Sequence, residues 1–197
     1  MLCGLLRASE GSLFIDGVDV QQSIEQIRSH FGYMSQKFSL YGDLSVRENL
    51  MFFANAYGLF GQKALNRINE LVQEFQLTHY LNDPSKTLPG GIKQRLAMAV
   101  ALLHQPKILF LDEPTSGADV PTRRQFWRWM TALAAMGTTI IVTTHFMEEA
   151  QYCDRLMIQD AGKSLILGTP EEVRKGAHSM DEAFIKIVQS FRAKEDL

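Results

Sequence analysis

The chain has 197 residues, 46% hydrophobic and 21% charged, the balance of one globular domain with a sizeable core, or at most a domain plus a small lobe. A formal net charge of -2 excludes a nucleic-acid binder driven by bulk charge. Two distant cysteines, Cys3 and Cys153, exclude a disulfide framework and suit a reducing cytoplasm, and no apolar run approaches the roughly 20 residues of a membrane span.

Strand and helix signals alternate, which argues for an α/β domain. Leu13-Phe14-Ile15 reads as a strand and Asp16-Gly17 as a hairpin turn, since glycine accepts positive φ. Phe31 to Met34 is the next strand. Ser45 and Glu48 form a capping box that opens a helix toward Tyr57. Leu65, Ile68, Leu71, Val72 and Phe75 recur at helical spacing, so residues 62–76 form an amphipathic helix. Lys93 to Gln105 is a helix closed by Pro106. Lys107 to Leu111 is an apolar strand. Pro121 to Met136 is a helix with proline in its first turn and Gly137 as its stop. Thr138 to Thr144 is a β-branched strand, apolar enough to be buried on both faces. Phe146 to Cys153 is helical. Arg155 to Ile158 and Lys163 to Leu167 are strands joined by the turn Asp160-Ala161-Gly162. Thr169-Pro170-Glu171-Glu172 starts a capped helix, and Ser179 to Phe191 is a last amphipathic one.

The aromatic residues Phe38, Tyr41, Phe52, Phe53, Tyr57 and Phe60 admit two readings. They form a groove that grips a partner helix, or they are core of a helical lobe. Core is the favoured reading for most, because their alternation with polar residues is poor.

The strongest local signal is Ile108 to Pro114, an apolar strand delivering Asp112 and Glu113 at its C-terminal end. Open α/β sheets place ligands there. One such carboxylate can hold Mg2+ beside nucleotide phosphates, and the next can orient or deprotonate a water. Upstream, Leu88-Pro89-Gly90-Gly91-Ile92-Lys93-Gln94-Arg95 puts paired glycines at a helix start, where exposed amides suit a phosphate. Ser116-Gly117-Ala118-Asp119 follows the carboxylates. His145 ends the next strand and Gln36 follows an earlier one.

Gln36, the Gly90-Gly91 loop, Asp112-Glu113, Asp119 and His145 stand in the order and approximate separation of an ATP-binding cassette (ABC) ATPase domain. On these positions the chain resembles that family over nearly its whole length. The resemblance implies a P-loop NTPase-like parallel sheet flanked by helices, with a helical ABC-specific subdomain. It implies ATP and Mg2+ as cofactors. Gln36 resembles the Q-loop glutamine, which senses Mg2+ and nucleotide, and Asp112 the Walker B aspartate. Glu113 resembles the catalytic glutamate, His145 the switch histidine and Asp119 the D-loop aspartate. Leu88, Pro89, Gly90, Gly91 and Ile92 resemble the signature loop, which contacts ATP held by the opposite cassette of a head-to-tail dimer.

The expected organisation is one partial ABC ATPase domain over residues 1–197. Residues from about 45 to 100 form the helical subdomain with the signature loop, about 101–168 the catalytic core, and 169–197 the C-terminal helices. Phe38-Ser39-Leu40-Tyr41, Thr144 to Ala150 and Ser179 to Phe184 look like the ATPases of daunorubicin-resistance-type drug exporters. The implied partners are a second cassette and an integral-membrane permease, with no nucleic acid. The implied location is cytoplasmic, peripheral on the inner face of the cell membrane.

Two departures stand out. The usual signature begins Leu-Ser-Gly-Gly-Gln, whereas Pro89 and Ile92 replace its serine and glutamine, and proline offers neither hydroxyl nor N–H. No G-x-x-x-x-G-K-[ST] occurs in the sequence. In the family that loop precedes a helix similar to Met1 to Leu6 and a turn like Ala8 to Gly11, so the N-terminal strands and phosphate loop are expected to be missing. An exporter ATPase subunit is therefore weighed against a non-catalytic docking or dimerisation cassette, and against a soluble ribosome-associated cassette ATPase.

Overall fold

The computed structural model describes residues 8–15, 17–20 and 29–195, together with Leu6 and Ile27. The helix read at Met1 to Leu6, apart from Leu6 itself, lies outside the described residues, as do Cys3 and the Asp16 half of the first turn. The chain divides into two compact units, residues 1–143 and 144–197.

In the first unit, β1 (Phe14–Ile15) and β2 (Val18–Asp19) pair antiparallel, Ile15 opposite Val18, and Gly17 takes φ +77° in the turn between them. Next comes a three-stranded parallel sheet in the order β3 (Phe31–Met34), β4 (Ile108–Asp112), β5 (Thr139–Thr143). Ile15, Val20, Ile27, Phe31 and Phe110 form a buried cluster between hairpin and sheet.

Three helices build the lobe inserted between β3 and β4: α1 (Val46–Ala56), α2 (Gly61–Glu74) and α3 (Gly90–Ala101). Helix α1 opens on the Ser45–Glu48 capping box, as the sequence predicts, and packs against α2 and α3. The buried face of α2 is Ala64, Ile68, Leu71 and Val72; Leu65, assigned to that face by spacing, is exposed. Helix α3 begins at Gly90, three residues earlier than read, because Pro89 caps it in extended conformation and the glycines form its first turn. It ends at Ala101, before a turn whose Gln105 takes φ +54°. Helix α4 (Val120–Ala135) packs on β5.

Strand β5 corrects one expectation. Thr139, Ile141 and Thr143 are exposed while Ile140 and Val142 are half-buried, so the strand is covered on one face rather than both. Among the described residues it pairs only with β4 and is an edge. The aromatic group needs correcting too. Tyr41, Phe52, Tyr57 and Phe60 are exposed and Phe38 and Phe53 half-buried, so they are not core. Phe52 instead packs edge-on against both Tyr41, at 4.7 Å, and Phe53, at 5.3 Å.

The second unit holds a 3-10 turn at Met147–Tyr152, then the antiparallel hairpin of β6 (Leu156–Asp160) and β7 (Lys163–Gly168). Ala161 and Gly162 make its two-residue turn, both at positive φ. Two helices follow, α5 (Pro170–Arg174) and α6 (Met180–Glu195). Helix α5 opens on the Thr169–Glu172 capping box. Arg192 of α6 grips Asp160 with two bonds of 2.8 and 3.0 Å.

Candidate active site

Parallel strands bring their C-terminal ends to one edge of the sheet, and the polar residues of the first unit collect there. Asp112 is the last residue of β4 and lies in register with Thr143, the last of β5. Gln36 follows β3 by two residues. Its side-chain amide donates to Glu113 Oε2 at 2.9 Å. The Thr143 hydroxyl donates to Asp112 Oδ1 at 2.6 Å, and the Glu113 N–H donates to the same hydroxyl oxygen at 3.0 Å.

Glu113 takes φ +47°, a left-handed conformation that costs a non-glycine residue energy and recurs at functional sites. Its N–H also donates to the Thr143 carbonyl at 3.1 Å, and its own carbonyl accepts the Ser116 N–H at 3.0 Å. The strained residue is thus tied on both sides.

The glycine loop lies one link away. Gln94 of α3 donates to the Ser116 carbonyl at 2.7 Å, joining the first turns of α3 to the loop after β4. Asp119 is the N-cap of α4. Its carboxylate accepts the Thr122 N–H at 2.8 Å, and these bonds to Thr122 hold its pKa below the usual carboxylate value. His145 falls in the second unit, its ring 4.2 Å from that of Phe146. There the Thr144 hydroxyl donates to the buried Glu149 at 2.6 Å and accepts the Phe146 N–H at 3.0 Å.

Sequence reasoning found Gln36, Asp112 and Glu113, which the fold brings together, and assigned no role to the Thr143 hydroxyl between them. A hydroxyl residue closing the strand after the carboxylates was the available signal, but its meaning depends on strand register.

Beside the strand ends the first unit has a groove of about 250 Å³. Tyr33, Ser35, Leu40, Phe53, Tyr57 and Ala97 are among its lining residues. It runs between the segment after β3 and the helical lobe.

Among the described residues no group of three or more His, Cys, Asp or Glu could hold a metal ion by itself. Mg2+ takes one or two carboxylates and completes its shell with water and phosphate oxygens. The Asp112 carboxylate and the Gln36 amide oxygen offer donors of that kind.

The ABC transporter family model matches residues 1–116. The chain belongs to the ABC transporter family. This ABC cassette is 43% identical to the probable multidrug ABC transporter ATP-binding protein YbhF of Escherichia coli, over 97% of this chain and 34% of that one. It is 34% identical to a daunorubicin resistance ATP-binding protein of Streptomyces coeruleorubidus, over 88% of this chain and 55% of that one. The cassette therefore spans about a third and about half of these relatives' lengths. The solved ATP-binding subunit of an ABC transporter matches it with a TM-score of 0.84 at 28% identity, over 95% of this chain and 80% of that one. A dimeric bacterial ABC transporter cassette gives 0.76 at 25% identity, over 85% of this chain and 77% of that one. The α/β fold and the likeness to drug-resistance ATPases are thereby borne out. The family hydrolyses ATP, generally with Mg2+.

Proposed function

We propose that this cassette is the energy-coupling part of an ABC-type exporter, hydrolysing ATP to ADP and phosphate as a head-to-tail dimer with a second cassette. The observation that carries the reading is the convergence of Gln36, Asp112 and Glu113 at the C-terminal ends of parallel strands, with Gln36 bonded to Glu113.

In this reading Asp112 and Gln36 would hold Mg2+, which would supply positive charge beside the phosphates. Glu113 receives a proton from the attacking water, and Gln36 orients its carboxylate for that task. His145 hydrogen-bonds the terminal phosphate. The loop Leu88 to Ile92, on the helical subdomain near 45–100, presents the Gly90 and Gly91 amides to ATP held by the partner cassette, and Asp119 lies at the same junction.

The groove lined by Tyr33, Phe53 and Tyr57 is the proposed seat of the permease, since the exposed Tyr33 and Tyr57 flank the Gln36 loop. No helix among the described residues is long and apolar enough to cross a membrane. Attachment at the cytoplasmic face through that permease follows from the proposal.

One observation favours a second reading, a non-catalytic docking cassette. Pro89 stands where the signature serine would be, and it caps α3 with no side-chain hydrogen bond. Separately, the 197 residues of this sequence contain no G-x-x-x-x-G-K-[ST] to cradle phosphates, which bears on the isolated chain alone. The purified chain by itself is therefore expected to turn over MgATP negligibly. Sustained turnover by the chain alone, abolished by Glu113→Gln, would overturn that expectation. Cross-linking from Tyr57→Cys into a co-expressed permease tests the docking groove, and co-sedimentation with ribosomes in place of it would contradict the exporter assignment.

A further inference from the structure

We infer that Thr143 is a positioning residue for the ATPase reaction, its hydroxyl holding the Asp112 carboxylate and the Glu113 backbone in one arrangement. The inference rests on the roles proposed above for Asp112 and Glu113.

The bonding has a fixed polarity. A carboxylate can only accept and an amide N–H can only donate. The Thr143 hydroxyl meets both demands, giving its proton to Asp112 Oδ1 at 2.6 Å and accepting the Glu113 N–H at 3.0 Å. The first distance is that of a charge-assisted bond. The branched side chain restricts rotation about χ1, so the hydroxyl stays turned toward β4.

The consequence reaches Glu113. Its N–H has two acceptors, the Thr143 hydroxyl and the Thr143 carbonyl at 3.1 Å, and both belong to the last residue of β5. Those bonds anchor the left-handed backbone that sets where the Glu113 side chain begins. Gln36 holds the far end of the same side chain. Thr143 therefore orients one carboxylate directly and the other through its backbone, without touching substrate itself. Valine has the same shape and can meet neither demand; serine can meet both.

The test uses the complete protein that carries this sequence, assembled with its permease in nanodiscs, as wild type, Thr143→Val, Thr143→Ser and Glu113→Gln. Thr143→Val is expected to lower kcat for ATP roughly tenfold with KM within about twofold, the loss of one hydrogen bond to a charged group felt in the chemical step. Thr143→Ser is expected to restore kcat to within about twofold of wild type. Independently of turnover, amide hydrogen exchange at Glu113 rises in Thr143→Val and stays at the wild-type rate in Thr143→Ser. Wild-type kcat or unchanged exchange in Thr143→Val, while Glu113→Gln stops turnover, overturns this inference alone. So does a Thr143→Ser variant as slow as Thr143→Val, since shape rather than the hydroxyl would then matter. A complex in which wild type and Glu113→Gln do not differ overturns the site assignment and takes the inference with it.

Discussion

The side-chain amide of Gln36 donates to Glu113 Oε2 at 2.9 Å, joining the segment after β3 to the end of β4 across 77 residues of chain. An amide is the appropriate partner for an ionised carboxylate, because it offers a donor without competing for charge. In the complete protein, Gln36→Ala is expected to slow ATP turnover roughly tenfold by releasing Glu113. Gln36→Glu is expected to slow it further, because two carboxylates would then face each other at hydrogen-bond distance. Steady-state ATPase assays of the two variants check the order.

Gly32 on β3 lies where α3 ends against the sheet. A Cβ there would run into the Ala101 carbonyl oxygen and lie 3.0 Å from Leu109 Cδ1. Backbone cannot yield as a flexible side chain does, so Gly32→Ala is expected to destabilise the fold by about 2 kcal/mol or more. Urea denaturation followed by circular dichroism measures it.

Asn49 is wholly buried and closes a polar knot. Its amide nitrogen, with two protons to give, lies 2.9 to 3.2 Å from the carbonyl oxygens of Tyr41, Leu44 and Ser45 and from the Ser85 hydroxyl, and its amide oxygen accepts the Tyr41 N–H at 3.0 Å. The knot ties the loop after Gln36 to the loop before the glycine pair. Asn49→Leu removes those side-chain bonds and takes away the oxygen that accepts the Tyr41 N–H, and it is expected to cost about 3 kcal/mol. The same urea series reads the loss, and proteolysis at Tyr41 to Ser45 should accelerate.

His104 stacks on Tyr57 at 4.0 Å, with Nε2 3.1 Å from the Phe31 carbonyl oxygen and Nδ1 buried without a partner. Burial pushes its pKa down, opposed by the bond to Phe31 and reinforced by the charge of Arg67. The unfolded chain therefore binds a proton that the folded chain refuses. The stability tied to neutral His104 is fully present above about pH 6.5 and is lost as pH falls from there through the folded-state pKa. His104→Phe should flatten that part of the denaturation-midpoint profile.

Local chemistry made much of this legible in advance. Ser45 with Glu48 and Thr169 with Glu172 announce helix starts through groups a few residues apart, and both capping boxes form. Asp112 and Glu113 were found because the apolar strand before them is self-evident. What escaped depends on partners distant in sequence. The alternation of exposure along β5 reflects which side of the sheet is covered, and the composition of Thr138 to Thr144 carries no trace of that. The Thr143 hydroxyl acquires its place only when β5 aligns Thr143 with Asp112. The aromatics from Tyr41 to Phe60 have the composition of a core, but α1 buries Val46, Leu50 and Ala54 and leaves Phe52 on the outside. Composition places the start of α3 too late because glycine is a poor helix former, whereas Pro89 sets the helix start at Gly90.

The role proposed for Glu113, accepting a proton from the attacking water, is the one on which the other assignments depend. The most direct measurement is ATP turnover by the complete permease-bound protein, comparing wild type with Glu113→Gln, alongside equilibrium binding of ATP to both. Turnover is expected to fall roughly a hundredfold or more in the variant with ATP affinity retained, as for loss of a general base. Equal turnover in wild type and Glu113→Gln would contradict it.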